Sequence, residues 1–218
     1  MQHPVDLLDM IETGESSTVE FKRKTTNPVK LAKEISAFAN TKGGYLFIGV
    51  EDNGKIVGVH SEKADIGMIE AACHFHIDPM IDIETDAFSV NGRELVVAHV
   101  PESINKPHKV ILEDKDTGKR FKRAYIRVGE KSLEASSEMA RLMTYQNEGN
   151  GHDLRLSIGE KEKTLFNYLE KYERATVKDF CKLVNISKRR AERTLVQLVR
   201  AGVLQIHNDR TYDFFTLV

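Results

Sequence analysis

The chain has 218 residues, 40% hydrophobic and 30% charged, which is the balance of an ordinary globular protein and excludes wholesale disorder. Its formal net charge of -1 hides an asymmetry: residues 155–218 hold 13 Lys and Arg against 8 Asp and Glu, while residues 1–154 are net acidic. Two widely separated cysteines, Cys73 and Cys181, exclude a disulfide framework, and the absence of a basic start or a long apolar run points to a cytoplasmic protein with no membrane partner.

In chain order, residues 5–12 carry Val5, Leu7, Leu8 and Ile11 at helical spacing, and Thr18 to Lys22 alternates as a strand. Asn27-Pro28 is a helix start, with a capping side chain followed by proline in the first turn. Leu31, Ile35 and Phe38 give that helix one apolar face, leaving Lys30, Lys33 and Glu34 outside. It should end at Gly43-Gly44, where positive φ permits a sharp exit. Tyr45 to Val50 is a continuous apolar run and predicts a central strand. Asn53-Gly54 then predicts a hairpin whose returning strand is Lys55 to Val59.

Residues 62–76 predict a second long helix. Cys73, His74 and His76 lie near its end without the further partners a zinc site needs. Strands are expected at Ile81 to Phe88 and Arg93 to Val100, joined at Asn91-Gly92, and again at Lys109 to Leu112 and Arg120 to Val128. Lys122, Arg123 and Arg127 on the last of these are candidate phosphate contacts, or else a charged edge. A helix over 135–146 closes the first domain, taken as residues 1–146. Asn147 to His152 is polar and glycine-containing, so a linker is expected over 147–156.

The second domain, 157–218, shows three helical patterns and a two-stranded ribbon. Thr176 to Asp179 is a capping box, Ser187 caps the third helix, and Gly202 ends it. This order is that of a winged helix-turn-helix. Lys188, Arg189, Arg190 and Arg193 sit at the N-terminal outer side of the third helix, where phosphate and guanine contacts would be made. A protein-binding module with a basic face is the competing reading.

Three stretches, GESSTVEFK (14–22), ISAFANTKGGYLFIGVEDNGKIVG (35–58) and AYIRVGEKSLEAS (124–136), together resemble the Schlafen AlbA-type DNA-binding domain of bacterial regulators and Schlafen cores. The resemblance implies an α+β fold, a mixed or antiparallel sheet with packed helices, followed here by the winged helix-turn-helix domain. It implies a DNA-binding transcriptional regulator, acting as a homodimer because only one of the two related lobes of a Schlafen core is present. RNA-cleaving Schlafen cores place an acidic triad in these motifs, and Glu15, Glu20 and Asp52 fall on its positions. The alternative function is therefore a metal-dependent endoribonuclease, in which those carboxylates hold Mg2+ or Mn2+ and Lys22 holds a phosphate. The zinc-binding cysteines and histidines of those cores have no counterpart here. Some relatives carry an ATP-binding label, but no G-x-x-x-x-G-K-[ST] loop occurs in the chain. A further alternative is a ligand- or nucleotide-sensing first domain that controls the winged helix.

Overall fold

A computed structural model describes residues 4–147, 158–209 and 212–218, so most of the expected linker, 148–156, lies outside the described residues. The chain divides into two compact units, 1–134 and 135–218. Among the described residues no helix is long and apolar enough to cross a membrane.

The first unit is α+β, as its sequence pattern implies. Helix α1 (Pro4–Thr13) leads into strand β1 (Val19–Lys22), helix α2 (Pro28–Ala39) and strand β2 (Gly44–Ile48). Helix α3 (Glu62–Phe75) and a short strand β3 (Ile77–Asp78) follow. The remaining strands are β4 (Glu84–Val90), β5 (Arg93–Val100), β6 (Lys109–Glu113), β7 (Arg120–Val128) and β8 (Lys131–Glu134). They form two four-stranded sheets, ordered β1-β2-β5-β4 and β3-β6-β7-β8. The first is mixed, since β1 runs parallel to β2 while β2-β5 and β5-β4 are antiparallel.

Helix α2 is where the local signals and the packing meet. Asn27 adopts an extended backbone and its Oδ1 accepts from the Val29 and Lys30 amides, at 2.8 and 3.4 Å, so the helix starts where the Asn-Pro pair places it. Leu31, Ile35, Ala39 and Phe38 are buried against Leu46, Ile48, Val96 and Ala98 of the mixed sheet and against Val110 and Tyr125 of the second. Alternation along β2 sends Phe47 to the other face, where it meets Leu7, Ile11, Phe21 and Leu95. Both faces of the sheet are thus covered, which explains why the strand reads as an unbroken apolar run. Each fully buried Phe or Leu here contributes roughly 1.5–3 kcal/mol.

Gly43 has φ 72, the positive value the helix exit requires. Gly44 is needed for a different reason: a Cβ there would lie 2.6 Å from the Phe38 ring and 2.6 Å from the Thr18 carbonyl oxygen. The start of β2 therefore sits directly on α2.

Two expectations are corrected. The segment 55–59 does not return as a strand; it keeps only an isolated bridge from Ile56 to Val50. Both edges of β2 are already occupied, by β1 and β5, so no edge remains for it. The outer side of α2 is solvated only in part: Lys30 is exposed as expected. Glu34 and Lys33 are half-buried beneath the second sheet, with the Lys33 ammonium 5.2 Å from the centre of the Tyr125 ring.

The second unit holds α4 (Ser137–Asn147), α5 (Glu160–Tyr172), α6 (Val177–Val184), α7 (Lys188–Arg200), β9 (Leu204–Asn208) and β10 (Asp213–Leu217). The last two pair antiparallel as the expected wing. Leu165, Leu169, Phe180, Leu195, Leu198 and Phe215 make its core. Thr176 and Asp179 cap α6 reciprocally, and Asn185 ends it in the left-handed region at φ 49. The contacts of α4 lie in this unit: Arg141 pairs with Glu192 of α7 at 3.0 Å, and the Ser136 hydroxyl donates to Asp213. The sequence pattern groups that helix with the first domain, whereas the compact unit it belongs to is 135–218.

Candidate functional site

In the first unit, strand β1 and the turn before it place Glu15, Glu20 and Lys22 close together. Glu15 is half-buried, and its Oε1 accepts from the Phe21 amide at 2.9 Å. Its carboxyl is held above the usual range, chiefly by burial, with the charges of Glu20 and Asp52 adding to the effect; the Phe21 amide and Lys22 oppose it.

Glu20 is buried, with 6% exposure, and both of its oxygens are engaged. Oε2 accepts from Arg127 Nη1 at 2.8 Å, and Oε1 accepts from Lys22 Nζ. Burial acts to lower the Lys22 pKa, but the hydrogen bond to Glu20 and the charges of Glu20, Glu34 and Glu15 outweigh it and raise the value.

Arg127 is the centre of this cluster. Its side chain is fully buried, donating to Glu34 at 3.3 Å, to Ser132 Oγ at 3.2 Å and to the Ser16 carbonyl at 2.6 Å, with its guanidinium 4.7 Å from the centre of the Phe38 ring. The expectation that Arg127 contacts phosphate is therefore corrected: it lies inside the unit and neutralises Glu20 and Glu34. A signal existed in the sequence, because Arg127 sits within the apolar run AYIRV, where an unpaired cation could not be buried.

The acidic triad does not make a metal centre. Asp52 is exposed in its turn, Glu20 is already bound to two cations, and among the described residues no group of three or more His, Cys, Asp and Glu side chains is placed to hold a metal ion. These residues do not fit Mg2+ or Mn2+. Cys73 is buried, and burial pushes its thiol up to about 12.

Lys122 and Arg123 remain at the surface on the exposed half of β7. Here β7 pairs only with β6, because β8 pairs with residues 125–128, so the charges lie along an unpaired edge as the alternative reading expects. Each has an acidic partner: Lys122 with Asp78 at 2.7 Å and Arg123 with Glu134 at 2.9 Å. Both pairs are about half exposed, where an ion pair contributes only about 0–1 kcal/mol and yields readily to a phosphate.

In the second unit, α7 begins with Lys188, Arg189 and Arg190 in its first turn and Arg193 in its second, all exposed. No acidic residue lies in that first turn. Lys188 reaches Glu192 at 3.6 Å, whereas Arg189, Arg190 and Arg193 have no acidic partner among the described residues. A helix N-terminus carries partial positive charge and favours acids, so the three cations of the first turn work against helix stability.

Two family models agree with this architecture. The profile described as "Schlafen, AlbA_2" matches residues 15–136, and that described as "PCI domain" matches 152–215, the winged-helix-like unit. Among solved structures, the chain is similar to the DIP2311 protein of Corynebacterium diphtheriae at 24% identity and TM-score 0.43, over 75% of this chain and 30% of that one. It is also similar to the N-terminal domain of a RecG-related protein of Nitrosomonas europaea at 24% identity and TM-score 0.43, over 73% of this chain and 97% of that one. The chain thus spans under a third of the first of these structures. The glutamates, the Gly-Gly exit and the buried Arg127 all fall within the first matched span, which covers more than half of the residues: the chain belongs to the Schlafen AlbA_2 family.

Proposed function

We propose that this protein binds duplex DNA through the first turns of α7 and acts as a regulator rather than as an enzyme. The observation that carries the reading is the trio Arg189, Arg190 and Arg193, exposed and without acidic partners at the end of a helix that electrostatics would furnish with acids. Helix α7 follows α6 across a short turn and is itself followed by a two-stranded wing. In a winged helix-turn-helix this is the helix that enters the major groove with its N-terminal residues towards the bases. Arginine forks match guanine edges and phosphates in a way that lysine does not.

The first unit adds a second, weaker surface through Lys122 and Arg123, whose acidic partners a phosphate backbone would displace. A homodimer fits this reading, since two copies would present two α7 helices to successive turns of one duplex.

The test is duplex binding at several salt concentrations. Parent protein should bind with a steep salt dependence. Arg189→Ala and Arg190→Ala should each weaken binding and reduce the slope of log K against log salt by about 0.9. Equal affinity and slope in parent and variants would reject the reading.

A further inference from the structure

Beside the basic turn, the second unit has an open groove of about 1050 Å3 that duplex binding does not use. Tyr168, Tyr172 and Tyr212 line it. The first two stand one turn apart on α5 with ring centres 4.6 Å apart, tilted by 36°. Tyr172 is 53% and Tyr212 47% exposed, so each leaves a large part of an aromatic ring to solvent. A core would have buried those faces.

The cations of the groove are Arg174, Lys178, Lys182 and Lys188. Lys178 and Lys182 are four residues apart on α6 and therefore share one face of that helix. Arg174, Lys178 and Lys182 are exposed and form no ion pair among the described residues. The acids that also line the groove are already committed. Asp179 accepts from the Thr176 hydroxyl at 2.6 Å, Asp213 accepts from Asn208 at 2.6 Å and from Ser136, and Glu138 is buried, with 5% exposure. Against these three acids the lining sets four cations, a small positive excess.

Half-exposed rings interleaved with unpaired cations are the physical requirements for holding an unpaired strand. Bases stack on the ring faces without regard to sequence, and phosphates follow the cations. We propose that this groove is a binding site for single-stranded nucleic acid, with bases against Tyr172 and Tyr212 and phosphates at Arg174, Lys178 and Lys182. The site goes beyond the duplex reading and does not depend on it. Only Lys188 is common to the two sets of residues.

The experiment measures binding of labelled oligo(dT) and oligo(U) to the full chain, beside an unlabelled duplex competitor. The parent should bind at least one of the two strands, and the pair of arms distinguishes a DNA site from an RNA site. Tyr172→Ala with Tyr212→Ala should weaken binding by about tenfold or more, as loss of two stacking faces requires, while Tyr172→Phe with Tyr212→Phe retains it. Lys178→Gln with Lys182→Gln should lower the salt slope by about 1.4. Arg189→Ala, which tests the duplex reading, should leave strand binding unchanged. Because Tyr172 and Tyr212 are half-exposed, the variants should fold, and circular dichroism checks this. Failure of the parent to bind either strand, equal binding by parent and Ala pair, or equal loss in the Phe and Ala pairs would overturn the proposal.

Discussion

Arg127 Nη1 lies 2.8 Å from Glu20 Oε2, joining two strands 107 residues apart inside the first unit. Arg127 belongs to the second sheet and Glu20 to the first, so the pair bridges the two layers that enclose α2. Ion pairs of this kind are costly to form and costlier to break, because removing one partner strands the other charge away from water.

Arg127→Ala or Arg127→Met should therefore destabilise the protein by about 3–5 kcal/mol, since Glu20 and Glu34 lose their buried counter-charge. Glu20→Gln should cost less, because the amide oxygen still accepts a hydrogen bond. Urea unfolding of the two variants checks the order. Equal stability in parent and Arg127→Ala would mean that water reaches the pair.

Asn40 binds the end of α2 to the second sheet. Its Nδ2 donates to the carbonyls of His108 and Tyr125 at 2.8 and 2.9 Å, and its Oδ1 accepts from the His108 amide at 2.8 Å. Asn40→Ala should leave these backbone groups unpaired in a buried place, costing roughly 1–3 kcal/mol for each group left without a partner. Asn40→Asp is a sharper test: it keeps the acceptor but sets a charge against two carbonyls, and should be no better than Ala.

His108 is buried, and its neutral ring donates from Nδ1 to the Pro79 carbonyl and accepts at Nε2 from the Ser103 hydroxyl, each at 2.7 Å. Burial, with Lys106 adding, lowers its pKa below the ordinary 6.5, against the opposing effects of Pro79 and Asp78. The unfolded chain therefore binds this proton more readily than the native one. Its contribution to stability is complete above about pH 6.5 and is lost as pH falls below that value. Melting temperature should drop between about pH 7 and pH 5 in the parent and drop less in His108→Gln. An imidazole titrating at or above 6.5 in an NMR series would contradict the assignment.

Glu15 and Glu20 provide a test of metal chemistry. With both Glu20 oxygens bound to cations, Mg2+ or Mn2+ should leave the melting temperature unchanged within about a degree, since a ligand that does not bind the native state cannot stabilise it. A rise with Mn2+ that disappears in Glu15→Gln would overturn this and place a metal at these carboxylates.

Gly44 should not accept a side chain. Gly44→Ala sets a methyl 2.6 Å from both the Phe38 ring and the Thr18 carbonyl, and the backbone neighbour cannot move aside. A loss of about 1–3 kcal/mol is expected, as for other overpacked cores, and chemical denaturation measures it.

Most of the elements were legible in the sequence because their causes are local. The Asn27-Pro28 start, the Asn91-Gly92 turn and the Thr176 to Asp179 capping box each act within a few residues, and each stands where its pattern places it. The cationic face of α7 was legible for the same reason: residues 188, 189, 190 and 193 are brought together by the helix alone. Tertiary structure decided what depends on partners distant in the chain. It withheld a strand from 55–59, because β5 had taken the edge of β2. It covered Glu34 with a second sheet whose pairing no spacing announces. It also turned Arg127 from a surface cation into a buried one, because the fate of a charge depends on whether an opposite charge meets it, and Glu20 does so only after two sheets have closed around one helix.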